Sequence, residues 1–224
     1  MEIAPNVHWI DLGSVNVYLT VDEDGLTLID TGMPRKQDDI MAYVRQIGRD
    51  PSEIKRILIT HADIDHAGSL AAVQKVTSAA VHVSAASAEL IAKGTSPKHN
   101  FWPMDFFSRF WKYQALSKRV QVLNEGDSLP VLGGLEVLNT PGHTMDHISF
   151  FSPSTGIALI GDEFSTRKNT LSTSPPMISA DSAAVATSGR KLFNLNITLF
   201  ACGHGTPMKS EDPSVAALKQ QLLG

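Results

Sequence analysis

The chain has 224 residues, 42% apolar and 19% charged, with a formal net charge of −4. This is ordinary globular composition, and the acidic balance argues against a nucleic-acid partner. One cysteine excludes an internal disulfide, no apolar run approaches the ~20 residues of a bilayer span, and the start Met1-Glu2-Ile3-Ala4-Pro5-Asn6 shows no secretory signal, so a cytoplasmic protein without a membrane partner is expected.

In chain order, residues 7–10, 15–21 and 26–29 read as strands, with Asp22-Glu23-Asp24-Gly25 turning between the last two. Residues 35–48 read as a helix, with Ile40, Val44 and Ile47 at helical spacing. The apolar run Ile57-Leu58-Ile59 reads as a buried strand. A helix over about 67–76, a strand at 80–83 and a helix over 85–93 capped by Ser84 follow. Residues 94–118 read as an insertion. Strands are expected again at 120–123, 135–138, 148–151, 157–160 and 197–201, with helices over about 181–194 and from about 214. Physics alone gives a mixed α/β domain over residues 1–224.

The chemistry concentrates where the strand at 57–59 ends. The next seven residues, Thr60-His61-Ala62-Asp63-Ile64-Asp65-His66, put two imidazoles and two carboxylates into one turn. Charges packed this closely repel unless a cation sits among them. His143 in Thr140-Pro141-Gly142-His143-Thr144, Asp162 in Ile160-Gly161-Asp162 and His204 in Cys202-Gly203-His204-Gly205 each follow a β-like run and are flanked by Gly or Pro. The candidate ligands therefore stand at strand ends.

This ordered set resembles the metallo-β-lactamase superfamily, whose pattern is His-x-His-x-Asp-His, then His, Asp and His. The match also includes Leu28-Ile29-Asp30-Thr31-Gly32. The resemblance implies an αββα sandwich of two similar halves and two metal ions per chain. His61, Asp63 and His143 would bind the first, Asp65, His66 and His204 the second, and Asp162 would bridge them. A metal-bridging hydroxide is the implied nucleophile, with Asp65 expected as the catalytic carboxylate as well as a ligand. The departure is Asp63, which stands where the family has its second His. Three carboxylates and one hydroxide then balance two divalent ions, and the added hard oxygen shifts preference from zinc towards iron or manganese.

Other residues carry weaker signals. Asp30 reads as a turn and supporting residue, His147 as one that packs or orients, and Cys202 as a small buried apolar residue. His8, His82 and His99 have no constellation. Arg167 follows Asp162 in a Pro-rich loop, where it could steer an anionic substrate. Residues 101–113 hold seven of the fifteen aromatics; Phe106, Phe107, Phe110 and Trp111 share one helical face. The first reading makes them a wall selecting an apolar small-molecule substrate, with Phe106, Phe107 and Trp111 touching it; a homodimer contact, plain core and, last, a membrane-resting helix are the alternatives. The expected function is hydrolysis of a carbonyl ester, lactone or thioester. A diiron or mononuclear-iron oxidoreductase is the alternative, and a phosphodiesterase or nuclease stands below both.

Overall fold

The structure, a computed structural model, describes residues 1–100 and 112–224. It contains two compact units, residues 1–97 with 107–123 and residues 98–106 with 124–224. The aromatics Phe106, Phe107 and Trp111, named above for substrate contact, lie outside the described residues.

In the first unit, seven described strands form one sheet in sequence order. β1 (Glu2–Ala4), β2 (Val7–Asp11), β3 (Asn16–Asp22) and β4 (Gly25–Ile29) are an antiparallel meander. β5 (Ile54–Leu58), β6 (Ala80–Ser84) and β7 (Val120–Leu123) continue the sheet in parallel. Parallel neighbours need crossovers, and helices supply them: α1 (Gln37–Gln46) after β4, α2 (Ile64–Ala67) and α3 (Leu70–Thr77) after β5, and α4 (Ala85–Lys93) after β6. Ser84 caps α4 as its sequence predicts, its side chain accepting from the Ser87 amide. Leu26, Leu28, Ile57, Val81, Ile40 and Val73 form the core between sheet and helices. Burying each such side chain contributes about 1.5–3 kcal/mol. The crossovers place the segment after β5 at the carboxyl end of parallel strands, the usual rim for a site in such sheets.

The helix expected over 67–76 is in fact two: α2 is one turn beginning at Ile64, and α3 starts at Leu70. The metal-type turn thus enters a helix three residues earlier than the apolar pattern suggests. The buried strand also begins earlier, at Ile54, and ends at Leu58 rather than 59.

In the second unit the sheet order is β15-β14-β11-β10-β9-β8. The strands are β8 (Ser128–Leu129), β9 (Leu135–Asn139), β10 (Ile148–Ser152), β11 (Ile157–Gly161), β14 (Leu199–Cys202) and β15 (Met208–Lys209). β11 and β14 pair in parallel and the rest antiparallel. α5 (Ser182–Phe193) and α6 (Pro213–Leu223) contribute Leu192, Phe193, Val215 and Leu218 to a core with Phe164 and Phe200. The ring of Phe164 lies 5.3 Å from Phe193 and 6.1 Å from Phe200.

A hairpin replaces the expected loop after Asp162. β12 (Phe164–Arg167) and β13 (Thr170–Thr173) pair antiparallel. Lys168 and Asn169 between them both have positive φ, 49° and 59°, which is the two-residue turn that matches strand twist. Arg167 therefore ends a strand, exposed, rather than sitting in a Pro-rich loop.

Candidate functional site

In the first unit the ligand turn is held by one carboxylate. Asp30 follows β4 with φ 63°, a left-handed conformation Asp tolerates better than most residues. Its Oδ1 accepts from the Thr60 amide at 2.8 Å, and its Oδ2 accepts from the Thr60 hydroxyl and from His66 Nδ1, each at 2.8 Å. The Thr60 hydroxyl, having donated to Asp30, accepts from His61 Nδ1 at 3.0 Å. Both imidazoles thus use Nδ1 as a donor to a fixed oxygen, which leaves Nε2 as the nitrogen available to a metal. The two rings are 4.0 Å apart, centroid to centroid, and fully buried. Asp63 and Asp65 face those nitrogens: Asp63 Oδ2 is 3.4 Å from His61 Nε2, and Asp65 Oδ2 is 3.9 Å from His66 Nε2.

The second unit builds a matching set on strand ends. His143 stands after β9 in a loop pinned by two amides: Ala180 donates to the His143 carbonyl at 2.8 Å, and Asp181 to the Gly142 carbonyl at 2.9 Å. Gly142 has φ 149°, and a Cβ there would meet the Val185 backbone nitrogen at 2.4 Å, so only glycine lets α5 approach. His143 Nδ1 pairs with Ser174 Oγ at 2.8 Å. Asp162 follows β11, and its Oδ2 lies 3.5 Å from His143 Nε2 and 3.0 Å from His204 Nε2. One carboxylate oxygen between two imidazoles is what a bridging ligand requires.

His147 orients this set. Its Nε2 accepts the Asp162 amide at 3.0 Å, so its proton is on Nδ1, which donates to Thr140 Oγ1 at 2.9 Å. Thr140 in turn lies 2.8 Å from Ser149 Oγ. Both ring nitrogens are engaged, which removes His147 from the ligands and fixes the backbone beneath Asp162. His99, without a constellation in the sequence, is buried with its ring 5.3 Å from that of His143. His82 is buried on β6, and burial lowers its pKa.

The donor chemistry fits metal ions in both units. A metal–ligand bond of about 2.0–2.2 Å in a tetrahedral site spaces neighbouring ligand atoms about 3.3–3.6 Å apart. The donor pairs here, at 3.0–3.9 Å, surround that spacing. Cys202 supplies no thiolate. It is fully buried, and desolvation pushes its thiol up to about 12, as its apolar reading in the sequence requires. The neighbouring Glu163 is buried too, and desolvation pushes its carboxyl up to about 9.

Thr60, Ser174, Thr140 and Ser149 were not singled out by the sequence. Nothing marks a hydroxyl as an imidazole's partner until the fold closes. Tyr113, read with the aromatic wall, is instead a core residue whose hydroxyl donates to the Ala62 carbonyl at 3.0 Å.

Comparison with known proteins agrees with this geometry. The profile of the Metallo-beta-lactamase superfamily matches residues 10–204. The probable metallo-hydrolase YflN of Bacillus subtilis is 26% identical, over 94% of this chain and 88% of that protein. A hydroxyacylglutathione hydrolase of Idiomarina loihiensis is 32% identical over 64% of this chain and 43% of its own length. An N-acyl homoserine lactonase of Bacillus sp is 24% identical over 78% of this chain and 73% of its own. The crystal structure of the metallo-β-lactamase SMB-1 bound to 2-mercaptoethanesulfonate superposes with a TM-score of 0.74 at 20% identity, covering 97% of this chain and 92% of that one. The shared fold is that of the metallo-β-lactamases.

Proposed function

The chain belongs to the metallo-β-lactamase superfamily and is a metal-dependent hydrolase, and we propose that it uses two metal ions to cleave a carbonyl ester, lactone or thioester. In the assignment that the family resemblance implies, His61, Asp63 and His143 would hold one ion and Asp65, His66 and His204 the other, with Asp162 shared. Bound there, the ions would supply a Lewis acid for the scissile carbonyl and generate a nucleophile from water at neutral pH. The chain's own residues supply the rest. Asp30 and Thr60 hold the proton on Nδ1 of both imidazoles in the turn, so neither competes with the metal. Asp65, whose side chain is more exposed than that of Asp63, is the carboxylate that would accept a proton at this site. His147 keeps Asp162 in place through its amide.

The observation that carries this reading is that tautomer lock: a buried carboxylate sets two adjacent imidazoles to the metal-binding form. The substrate class is supported by two relatives, whose names describe hydrolysis of a hydroxyacylglutathione, a thioester, and of an acyl homoserine lactone. Asp63 favours a second reading, an iron oxidoreductase of the same superfamily, because its carboxylate does face His61.

The test is elemental analysis of protein purified without added metal, combined with an ester, lactone and thioester panel. The expected result is close to two equivalents of zinc, iron or manganese and turnover of at least one substrate. Asp162→Ala should lower occupancy and lose most activity. An Asp162→Ala protein that binds both ions and turns over normally would overturn the assignment.

A further inference from the structure

His99 takes no part in the ligand sets, yet it is buried beside one of their members. Its ring lies 5.3 Å from that of His143, centroid to centroid, with the two planes tilted by 60°. That is within the contact range of aromatic pairs. Both residues belong to the second unit.

One strip of chain, residues 179–181, holds both backbones. The Ser179 carbonyl accepts from the Asn100 amide at 3.2 Å, the Ala180 amide donates to the His143 carbonyl at 2.8 Å, and the Asp181 amide donates to the Gly142 carbonyl at 2.9 Å. The strip is itself fixed at both ends. Ser179 Oγ donates to the Pro175 carbonyl at 2.8 Å, and Asp181 caps α5 by accepting from the Ala183 and Ala184 amides at 2.8 and 3.0 Å. Two histidines far apart in sequence are thereby carried on one mount.

The imidazoles of the first unit show how such a ring is held. His66 donates to the Asp30 carboxylate, and His61 donates to the Thr60 hydroxyl, which Asp30 braces. The two rings also pack on one another at 4.0 Å. Each therefore has a braced oxygen at Nδ1 and a ring beside it. His143 has Ser174 Oγ at Nδ1, 2.8 Å away. A serine hydroxyl is a rotor, and the χ2 torsion of an imidazole sits in a broad well. Such a bond fixes a point on the ring more firmly than it fixes the plane. Of the two imidazoles beside it, His147 stands edge-on at 6.5 Å and His99 is closer. We propose that His99 is a positioning residue: held on the common mount and packed against His143, it sets the plane of that ring so that Nε2 stays directed at the metal, on the side of Asp162. It acts as a ring and not as a ligand. This rests on His143 being a metal ligand.

The experiment uses the full chain. Zinc alone gives the affinity, read by competition with a chromophoric chelator, and cobalt(II) alone gives the visible spectrum of the loaded site. His99→Ala should weaken zinc binding about fivefold, the size of one aromatic pair, and should shift the cobalt bands. His99→Phe, which keeps a ring without nitrogens, should restore both. If His99→Ala folds poorly, His99→Gln removes the ring with a smaller loss of volume and should show the same deficit. Wild-type affinity and spectrum in the ring-less variant would overturn the proposal. So would a His99→Phe protein as impaired as His99→Ala, since the nitrogens and not the packing would then be at work. His143→Ala separates the two levels. Wild-type affinity and spectrum in His143→Ala would overturn the ligand assignment, and the proposal with it. A large loss in His143→Ala beside none in His99→Ala would overturn the role of His99 alone.

Discussion

Glu163 is the residue with the least obvious means of support. Neither carboxyl oxygen has a hydrogen-bond partner among the described residues, and burial raises its pKa from 4.5 to about 9. An acid whose folded pKa is raised binds its proton more tightly folded than unfolded. Its contribution to stability is therefore complete below about 4.5 and is lost as pH climbs towards about 9. We expect metal-free protein to lose stability relative to Glu163→Gln across that window, by at most about 1.4 kcal/mol per pH unit. Urea midpoints at pH 5, 6.5 and 8 measure the difference; parallel pH dependences in the two proteins would show the carboxyl is already ionised in the fold. The seven candidate ligands were legible in the sequence because His and Asp are conspicuous at strand ends. Their orienting partners were not. A hydroxyl such as that of Thr60 or Ser174 is common everywhere, and its meaning depends on a residue 1 to 31 positions away.

At the scale of elements, the match between pattern and structure is close wherever burial is periodic. α4 over Ala85–Lys93 and β7 over Val120–Leu123 fall where cap and apolar alternation put them. The hairpin of β12 and β13 was invisible because its strands, Phe-Ser-Thr-Arg and Thr-Leu-Ser-Thr, are largely polar and its turn has no glycine. That hairpin also explains Gly205. A Cβ at Gly205 would lie 1.9 Å from the Thr166 carbonyl, and its φ is 81°. The Thr166 amide donates to the His204 carbonyl at 3.0 Å, so β12 crosses directly over the last ligand loop. Gly205→Ala should therefore cost about 2–4 kcal/mol, more than a surface change, through backbone strain and overpacking. A denaturant midpoint unchanged from wild type would show that β12 can move aside without loss.

For the molecule as a whole, metal and stability are expected to be linked. Ions that bind the folded chain alone stabilise it by mass action, by about 2.7 kcal/mol at a hundredfold excess over Kd. For a chain of this size that corresponds to a Tm shift of about 5–10 °C. Chelation should lower Tm by that amount and metal should restore it; a melting curve indifferent to chelator would separate the ligand sets from stability. Among the described residues no helix is long and apolar enough to cross a membrane. Cys202 makes a further kind of measurement accessible. It is the chain's single cysteine, fully buried, with its thiol held at about 12. At neutral pH it presents almost no thiolate to a maleimide. A cysteine placed at the exposed hairpin tip, as in Asn169→Cys, would be the one that reacts. A fluorophore or spin label could then be attached at a chosen site in an otherwise native chain, with no background thiol to remove first.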